Sequence, residues 1–302
     1  MLYIYDSVLE QIKEDIGDKT PERGGALLGE PGKQIVSKFI YDSHAFTTSS
    51  TYSPSRKLNE LVQKMEEDDG LEYKGIIHSH PGDFDHPSSQ DVAELSTGLM
   101  LNGHMPFYLV PIVTMMTEKE VLESHELAIN QMKISFYAGY PKVEKEEHKN
   151  VLSKFLREEV ELKTMEVKKV PEGLLTRDLK LFCETRSGFH HPEVFIVDIE
   201  TGPMLAGKME VEDQFELLML VDIDYPFGQP RFLLTYMDGS QEDLMPDWSK
   251  EAPFMEKLYQ FILDRTTTNT EKLLSKEIPP IRVNISTKDS KKRRKKEFKE
   301  ER

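Results

Sequence analysis

The stretch HSHPGDFDHPSSQD, residues 78–91, decides how this chain is interpreted. It places His78 and His80 two residues apart and Ser88 three residues before Asp91. Two imidazoles and a carboxylate are a ligand set that a catalytic zinc ion uses when its fourth coordination position stays open. The stretch therefore predicts one zinc ion per chain, bound by His78, His80 and Asp91.

The local pattern supports this prediction. Residues 75–80 read as a strand, on which side chains two apart project from the same face, so both imidazoles can reach one ion. The pair Pro81-Gly82 ends the strand, and a helix is predicted to begin near Ser88 with Asp91 in its first turn. Ser88 and Asp91 also form a plausible helix capping box, which requires no metal. The loop residues Asp83, Asp85 and His86 remain alternative ligands.

A further carboxylate lies upstream, in PERGGALLG at residues 21–29. Glu22 precedes a run of small and apolar residues that predicts a buried strand. A carboxylate at the end of such a strand can accept a proton from water held by the metal. Together with residues 78–91 it predicts a hydrolytic site.

These residues together resemble the JAMM motif of MPN-domain zinc metalloproteases, a family of deubiquitinases and their prokaryotic relatives. The resemblance covers about residues 1–140 and implies an α/β fold, an MPN/JAB-type mixed sheet flanked by helices. It implies zinc binding by His78, His80 and Asp91. It also implies that Glu22 is the general base and that Ser88 donates a hydrogen bond to the oxyanion.

The second half predicts an α+β domain with an antiparallel meander. Its DYPFGQP turn, residues 224–230, resembles the turn of the ubiquitin-conjugating-enzyme fold. The single cysteine, Cys183, precedes this turn instead of following it, so the resemblance implies an inactive, UBC/RWD-like binding module. An unrelated α+β domain with an ordinary strand-ending turn is the alternative.

Secondary-structure patterns predict the organisation of the chain. Strands are predicted at 25–28, 34–40, 75–80, 107–116, 126–137, 193–199, 204–211 and 215–223, and helices from Ser53 to Gly70, from Ser88, across 143–169 and at 254–263. We expect a metalloprotease domain at 1–140, the second domain at 141–285 and a basic, disordered tail at 286–302.

Composition and charge restrict the expected cellular location and the expected classes of partner. One cysteine excludes a disulfide framework within the chain, and the lack of both a signal-like N-terminus and a long apolar run predicts a cytoplasmic protein outside the membrane. Residues 288–302 carry a net charge of +5, which leaves −20 on residues 1–287. An acidic body argues against nucleic-acid binding, except through the basic tail.

The sequence thus predicts a zinc-dependent isopeptidase or peptidase that cuts the amide bond after the C-terminus of a ubiquitin-like protein. Its partners would be that protein or its conjugates, and enzymes of the conjugation pathway. Two alternatives stay open: a non-catalytic MPN-type scaffold, and a zinc hydrolase of a small amide or a sulfur-carrier adduct.

Overall fold

The chain folds as two compact units, which divide between Val170 and Pro171. The structure is a computed structural model, and it describes residues 1–17, 20–116, 120–142, 160–199, 202–211, 214–245 and 254–267. No described helix is both long enough and apolar enough to span a membrane. The predicted basic tail at 286–302 lies outside the described residues and stays a prediction.

The first unit alternates short strands with three helices among its described residues. Its elements are β1 (Leu2–Tyr5), α1 (Asp6–Asp15), β2 (Gly24–Gly29), β3 (Ile35–Val36), β4 (Lys38–Tyr41), β5 (Phe46–Thr47), β6 (Tyr52–Ser53), α2 (Arg56–Asp69), β7 (Glu72–Ser79), α3 (Ser89–Leu101), β8 (Tyr108–Leu109), β9 (Ile112–Met115), β10 (Glu126–Ile129), β11 (Met132–Ser135), β12 (Tyr137–Pro141), β13 (Val160–Thr164) and β14 (Val167–Val170).

Nine of the described strands form one curled mixed sheet with β7 at its centre. On one side β7 pairs antiparallel with β2, which in turn pairs with β4. On the other side it runs parallel to β8 and then to β9. A separate three-stranded sheet, in the order β14-β1-β3, is parallel throughout. This is a mixed α/β architecture consistent with an MPN fold, as predicted.

Both faces of the central strands are buried. In β2, Leu27 packs with α1 on one face, whereas Ala26 and Leu28 pack on the opposite face with α2 and α3. Successive strand residues point to opposite faces, so an unbroken apolar run belongs in a sheet that is covered on both sides. Residues 26–28 of β2, Ala-Leu-Leu, form such a run, and this places β2 in the interior of the sheet.

Several predicted elements have different boundaries. The predicted strand at 107–116 divides into β8 and β9 at Pro111, which cannot donate a hydrogen bond to a neighbouring strand. The predicted helix start at Ser53 is displaced to Arg56, because Ser53 pairs in the β5–β6 hairpin and the hydroxyl of Ser55 accepts the backbone N–H of Leu58 as the N-cap. The predicted strand at 126–137 is a hairpin, β10–β11, that leads into β12.

The helix predicted across residues 143–169 is wrong in its last part. Residues 160–170 form β13 and β14, which pair with β12 and β1 of the first unit, and residues 143–159 lie outside the described part. The end of the first unit therefore falls at Val170 and not near residues 140–150. Val167 and Val170 are buried at the two ends of β14, and the two lysines between them are exposed, so the burial pattern of this strand lacks the two-residue period by which strands are predicted.

The second unit is the antiparallel meander that the sequence predicts. Its described elements are α4 (Glu172–Thr185), β15 (Phe189–Ile199), β16 (Gly202–Val211), β17 (Phe215–Val221), β18 (Arg231–Tyr236), β19 (Gln241–Leu244) and α5 (Phe254–Thr267), with the strands paired in chain order. Gly207 of β16 lets Leu179 of α4 approach the sheet, since a Cβ there would lie 2.8 Å from that side chain. The specific UBC/RWD-like assignment stays a prediction.

Candidate metal centre

The site forms where β7 ends and α3 begins. His78 belongs to β7, and the backbone N–H of His80 donates to the carbonyl of Val113 on the neighbouring strand, at 2.9 Å. Asp91 lies in the first turn of α3, which Ser88 caps. The cap is a full capping box: the Ser88 N–H donates to Asp91 Oδ2 at 2.5 Å, and the Asp91 N–H donates to Ser88 Oγ at 3.3 Å. The predicted box and the predicted ligand therefore coexist.

The three predicted ligands converge. The Nε2 atoms of His78 and His80 are 3.0 Å apart. Asp91 lies beside both, with 3.1 Å from Oδ1 to His78 Nε2 and 3.5 Å from Oδ2 to His80 Nε2. Ligands about 2.0–2.2 Å from a tetrahedral zinc are separated by about 3.3–3.6 Å, so this spacing is close to the one that zinc requires.

The orientation of His80 shows why a cation suits the site. Its Nδ1 lies 2.9 Å from the carbonyl oxygen of Phe84, which can only accept a hydrogen bond. Nδ1 therefore carries the proton in the neutral ring, and Nε2 presents a lone pair toward His78 and Asp91. Lone pairs and carboxylate oxygens that face one another repel unless a cation lies among them. The donor set thus fits a bound divalent metal.

The electrostatics of the metal-free site agree with this description. Burial by itself would raise the pKa of Asp91, but hydrogen bonds from His78 and His80 outweigh burial and lower it below the usual range of a carboxyl. Burial by itself would lower the pKa of His80, but its hydrogen bonds to Asp91 and to the Phe84 carbonyl raise it above the ordinary value.

Glu22 lies beside the three ligands. It precedes β2, and its N–H donates to the carbonyl of Thr48 at 2.9 Å. Its side chain faces a cavity of about 270 Å³ that His80, Ser88 and Asp91 also line. Glu22 is only 5% exposed, and burial raises the pKa of its carboxyl, although the two histidines act in the opposite direction. The structure therefore places a buried carboxylate next to the candidate metal position.

A second layer of residues around His78 was missed by the sequence analysis. The ring of Tyr52 stacks on His78 at an interplanar angle of 7°. Asp42 accepts hydrogen bonds from the N–H and the hydroxyl of Ser55, at 2.6 and 2.7 Å, which fixes the chain just after Tyr52. His78 Nδ1 has no hydrogen-bond partner among the described residues, so this ring is held by stacking on Tyr52 and by the contact of Nε2 with Asp91. The signal in the sequence was Gly24, where a Cβ would lie 2.8 Å from the Tyr52 ring.

The alternative ligands in the loop do not join this group. Asp85 pairs with Lys133 at 2.7 Å and with His86 at 2.5 Å, and so its carboxylate is engaged away from His78 and His80. Asp83 is exposed. Among the described residues, the three predicted ligands are thus the ones that the fold brings together at this point.

A groove leads away from the site between α2 and α3. Its cavity measures about 740 Å³, and His78 and Asp91 are among the residues that line it. Most of the wall is apolar, and carboxylates and amides of the two helices add polar groups; lining residues include Leu58, Val62, Glu66, Ile76, Glu94 and Tyr108. The hydroxyl groups of Tyr73 and Tyr108 hydrogen-bond to each other at 2.6 Å beneath it.

Comparison with known proteins assigns the N-terminal region of the chain to a family. Residues 4–126 match the family model described as prokaryotic homologs of the JAB domain. The N-terminal region is a prokaryotic JAB/MPN domain. The match contains Glu22, Ser88 and all three candidate ligands, and it ends well before the second unit begins. No curated protein matches the chain.

Two solved structures are similar to parts of this JAB/MPN-containing chain. A protein from Desulfitobacterium hafniense, solved in solution, is 14% identical with a TM-score of 0.38, over 57% of this chain and 94% of its own. A JAB1/MPN domain protein from Archaeoglobus fulgidus is 19% identical with a TM-score of 0.24, over 37% of this chain and 78% of its own.

Proposed function

We propose that the JAB/MPN domain is a zinc-dependent isopeptidase or peptidase that hydrolyses the amide bond after the C-terminus of a ubiquitin-like protein. One observation carries the proposal: three metal-ligand atoms converge beside the buried carboxylate of Glu22, in a cavity that is continuous with the protein surface. This combination supplies a cation position and a proton acceptor at one place.

The chemistry follows from the residues. Zinc held by His78, His80 and Asp91 would polarise an amide carbonyl and make water acidic enough to lose a proton near neutral pH. Glu22 accepts that proton and returns it to the leaving amine. Its raised pKa makes the carboxylate a stronger base for the first step, and the carboxylic acid so formed can still protonate the more basic amine in the second.

Ser88 has two roles in this proposal. Its Oγ accepts the N–H of Asp91 in the helix cap, and a hydroxyl can donate its own hydrogen while it accepts another. Ser88 lines the same cavity as Glu22 and His80, so that donation can reach an oxyanion that forms there. One such donor typically stabilises the transition state by about 3 kcal/mol.

The surroundings of the site support a polypeptide substrate. The groove between α2 and α3 is mostly apolar and is lined by His78 and Asp91 of the site, which suits an extended C-terminal tail of a folded protein. The second domain is the proposed holding surface for the substrate or for a conjugation enzyme. We place this activity in the cytoplasm, because a chain with one cysteine suits a reducing compartment.

The test starts with metal content. Purified protein is expected to contain about one zinc per chain, and it should cleave a ubiquitin-like protein fused at its C-terminus to a reporter, with loss of cleavage in a chelator and recovery on zinc addition. His80→Gln is the control that should lose both zinc and cleavage. Zinc binding without cleavage of any amide would favour the scaffold, and cleavage of short peptides but not of fusions would favour a small-amide hydrolase.

A further inference from the structure

A buried lysine lies next to the metal centre without belonging to it. Lys133 of β11 is 4% exposed. Its Nζ contacts three carboxylates: Asp85 at 2.7 Å, Glu126 at 2.9 Å, and Glu120. Burial by itself would lower the pKa of the lysine, but the hydrogen bonds that Lys133 donates to these carboxylates outweigh burial and raise it well above its ordinary value, so the ammonium stays charged. The sheet thus presents a fixed positive charge.

These carboxylates come from different places in the chain. Glu126 begins β10, the strand paired with β11, and it also accepts hydrogen bonds from the Glu123 N–H at 2.9 Å and from the Ser135 hydroxyl at 3.2 Å. Asp85, in contrast, belongs to the loop of residues 81–87 that connects His80 to α3. Lys133 therefore links the rigid sheet to the loop beside the metal site.

The link reaches His80 through a single peptide group. The carbonyl of Phe84, which accepts the Nδ1–H of His80 at 2.9 Å, belongs to the same planar peptide unit as the backbone nitrogen of Asp85. Anchoring the Asp85 side chain therefore restricts where that carbonyl can point. The loop has no helix or strand of its own, and it contains Gly82 at a φ of 115°, so its conformation depends on such contacts.

We propose that Lys133 is a positioning residue for the metal centre: through Asp85 it fixes the Phe84 carbonyl that holds His80 in its ligating orientation. The inference rests on the proposed zinc site. Groups that orient a ligating histidine typically change metal affinity by about 10- to 100-fold when they are removed. The three carboxylates do not form a cation site of their own, because the ammonium of Lys133 occupies the position between them.

The experiment truncates two of the carboxylates that contact Lys133 and compares their effects on zinc binding. Asp85→Ala removes the carboxylate that lies on the loop, whereas Glu120→Ala removes one that lies outside it. Zinc affinity is measured on the full chain by competition with a chromophoric chelator, and the melting temperature of the zinc-free protein is measured in parallel. We expect Asp85→Ala to weaken zinc binding by at least about 10-fold and Glu120→Ala to change it by less than about 3-fold, at similar melting temperatures.

A conservative substitution at residue 85 should preserve zinc binding. Asp85→Asn keeps an oxygen that can accept the Lys133 N–H, so it should retain most of the zinc affinity that Asp85→Ala loses. Equal zinc affinity in wild type and Asp85→Ala, or equal losses in both alanine variants, would overturn the inference and leave the proposed function standing. A wild-type protein that binds no zinc would remove the proposed function and, with it, this inference.

Discussion

The sharpest prediction concerns Glu22→Gln. The substitution keeps the size and shape of a side chain that is only 5% exposed, but it removes the group that accepts and returns a proton. Gln cannot act as a base near neutral pH, so the proton has no acceptor at this position. The three ligand atoms belong to other residues, so zinc binding should persist.

The expected loss of rate can be worked out from the role of Glu22 as a general base. A positioned general base is typically worth about 10²- to 10⁴-fold in rate, which corresponds to about 2.7–5.5 kcal/mol of activation free energy. Stability should not fall. Because burial raises the pKa of Glu22 in the fold, the ionised carboxylate opposes folding at neutral pH, and a neutral side chain of the same shape removes that cost.

The assay measures turnover and metal separately. Cleavage of the ubiquitin-like fusion gives kcat and KM, elemental analysis gives zinc per chain, and thermal unfolding of the zinc-free protein gives relative stability. We expect full zinc occupancy, a kcat lowered by at least about 100-fold and an unchanged or higher melting temperature. Loss of zinc in Glu22→Gln, or a kcat within about 10-fold of wild type, would refute the role assigned to Glu22.

Two further predictions test the metal centre and its supports. The raised pKa of His80 stabilises the zinc-free protein at low pH, and this contribution is lost as pH rises through that pKa. Zinc binds only the unprotonated ring, so the rise in melting temperature on zinc addition should be larger at pH 8 than at pH 6. A smaller rise at pH 8 would contradict the assignment of His80 as a ligand. Gly24→Ala places a Cβ 2.6 Å from a carbonyl oxygen of β7 and 2.8 Å from the Tyr52 ring. We expect urea unfolding of the zinc-free protein to show that the free energy of unfolding falls by about 1–3 kcal/mol, and we expect weaker zinc binding. Gly103→Ala is the control that should show neither effect, because a Cβ there would meet no atom within 4 Å.

Much of the site could be predicted from the sequence, because its ligands are close together along the chain. His78 and His80 share a strand face by the two-residue period of a strand, and Asp91 follows Ser88 at the spacing of a helix cap. The resemblance to the JAMM motif assigned roles to these residues. The comparison with protein families confirms the JAB/MPN domain at residues 4–126, while those roles remain proposals.

Local pattern was misleading where pairing partners are distant. Residues 160–170 are rich in Lys and Glu, which favours a helix, yet the chain there adds strands to two sheets because β1 and β12 offer unpaired edges. Their partners lie between 19 and 165 residues away along the chain, as Pro141↔Val160 and Leu2↔Val167 show. No periodicity within a short window contains that information.

The sequence alone determined which side chains can bind a cation here, because ligand chemistry and short-range spacing are local properties. Tertiary structure decided how those side chains are held: Tyr52 against His78, the Phe84 carbonyl against His80, and Lys133 against the loop. The Phe84 contact lies within the loop that follows His80, whereas the other two contacts join distant segments that meet only after the sheet has closed. Their geometry depends on packing between distant residues, which the order of amino acids does not display.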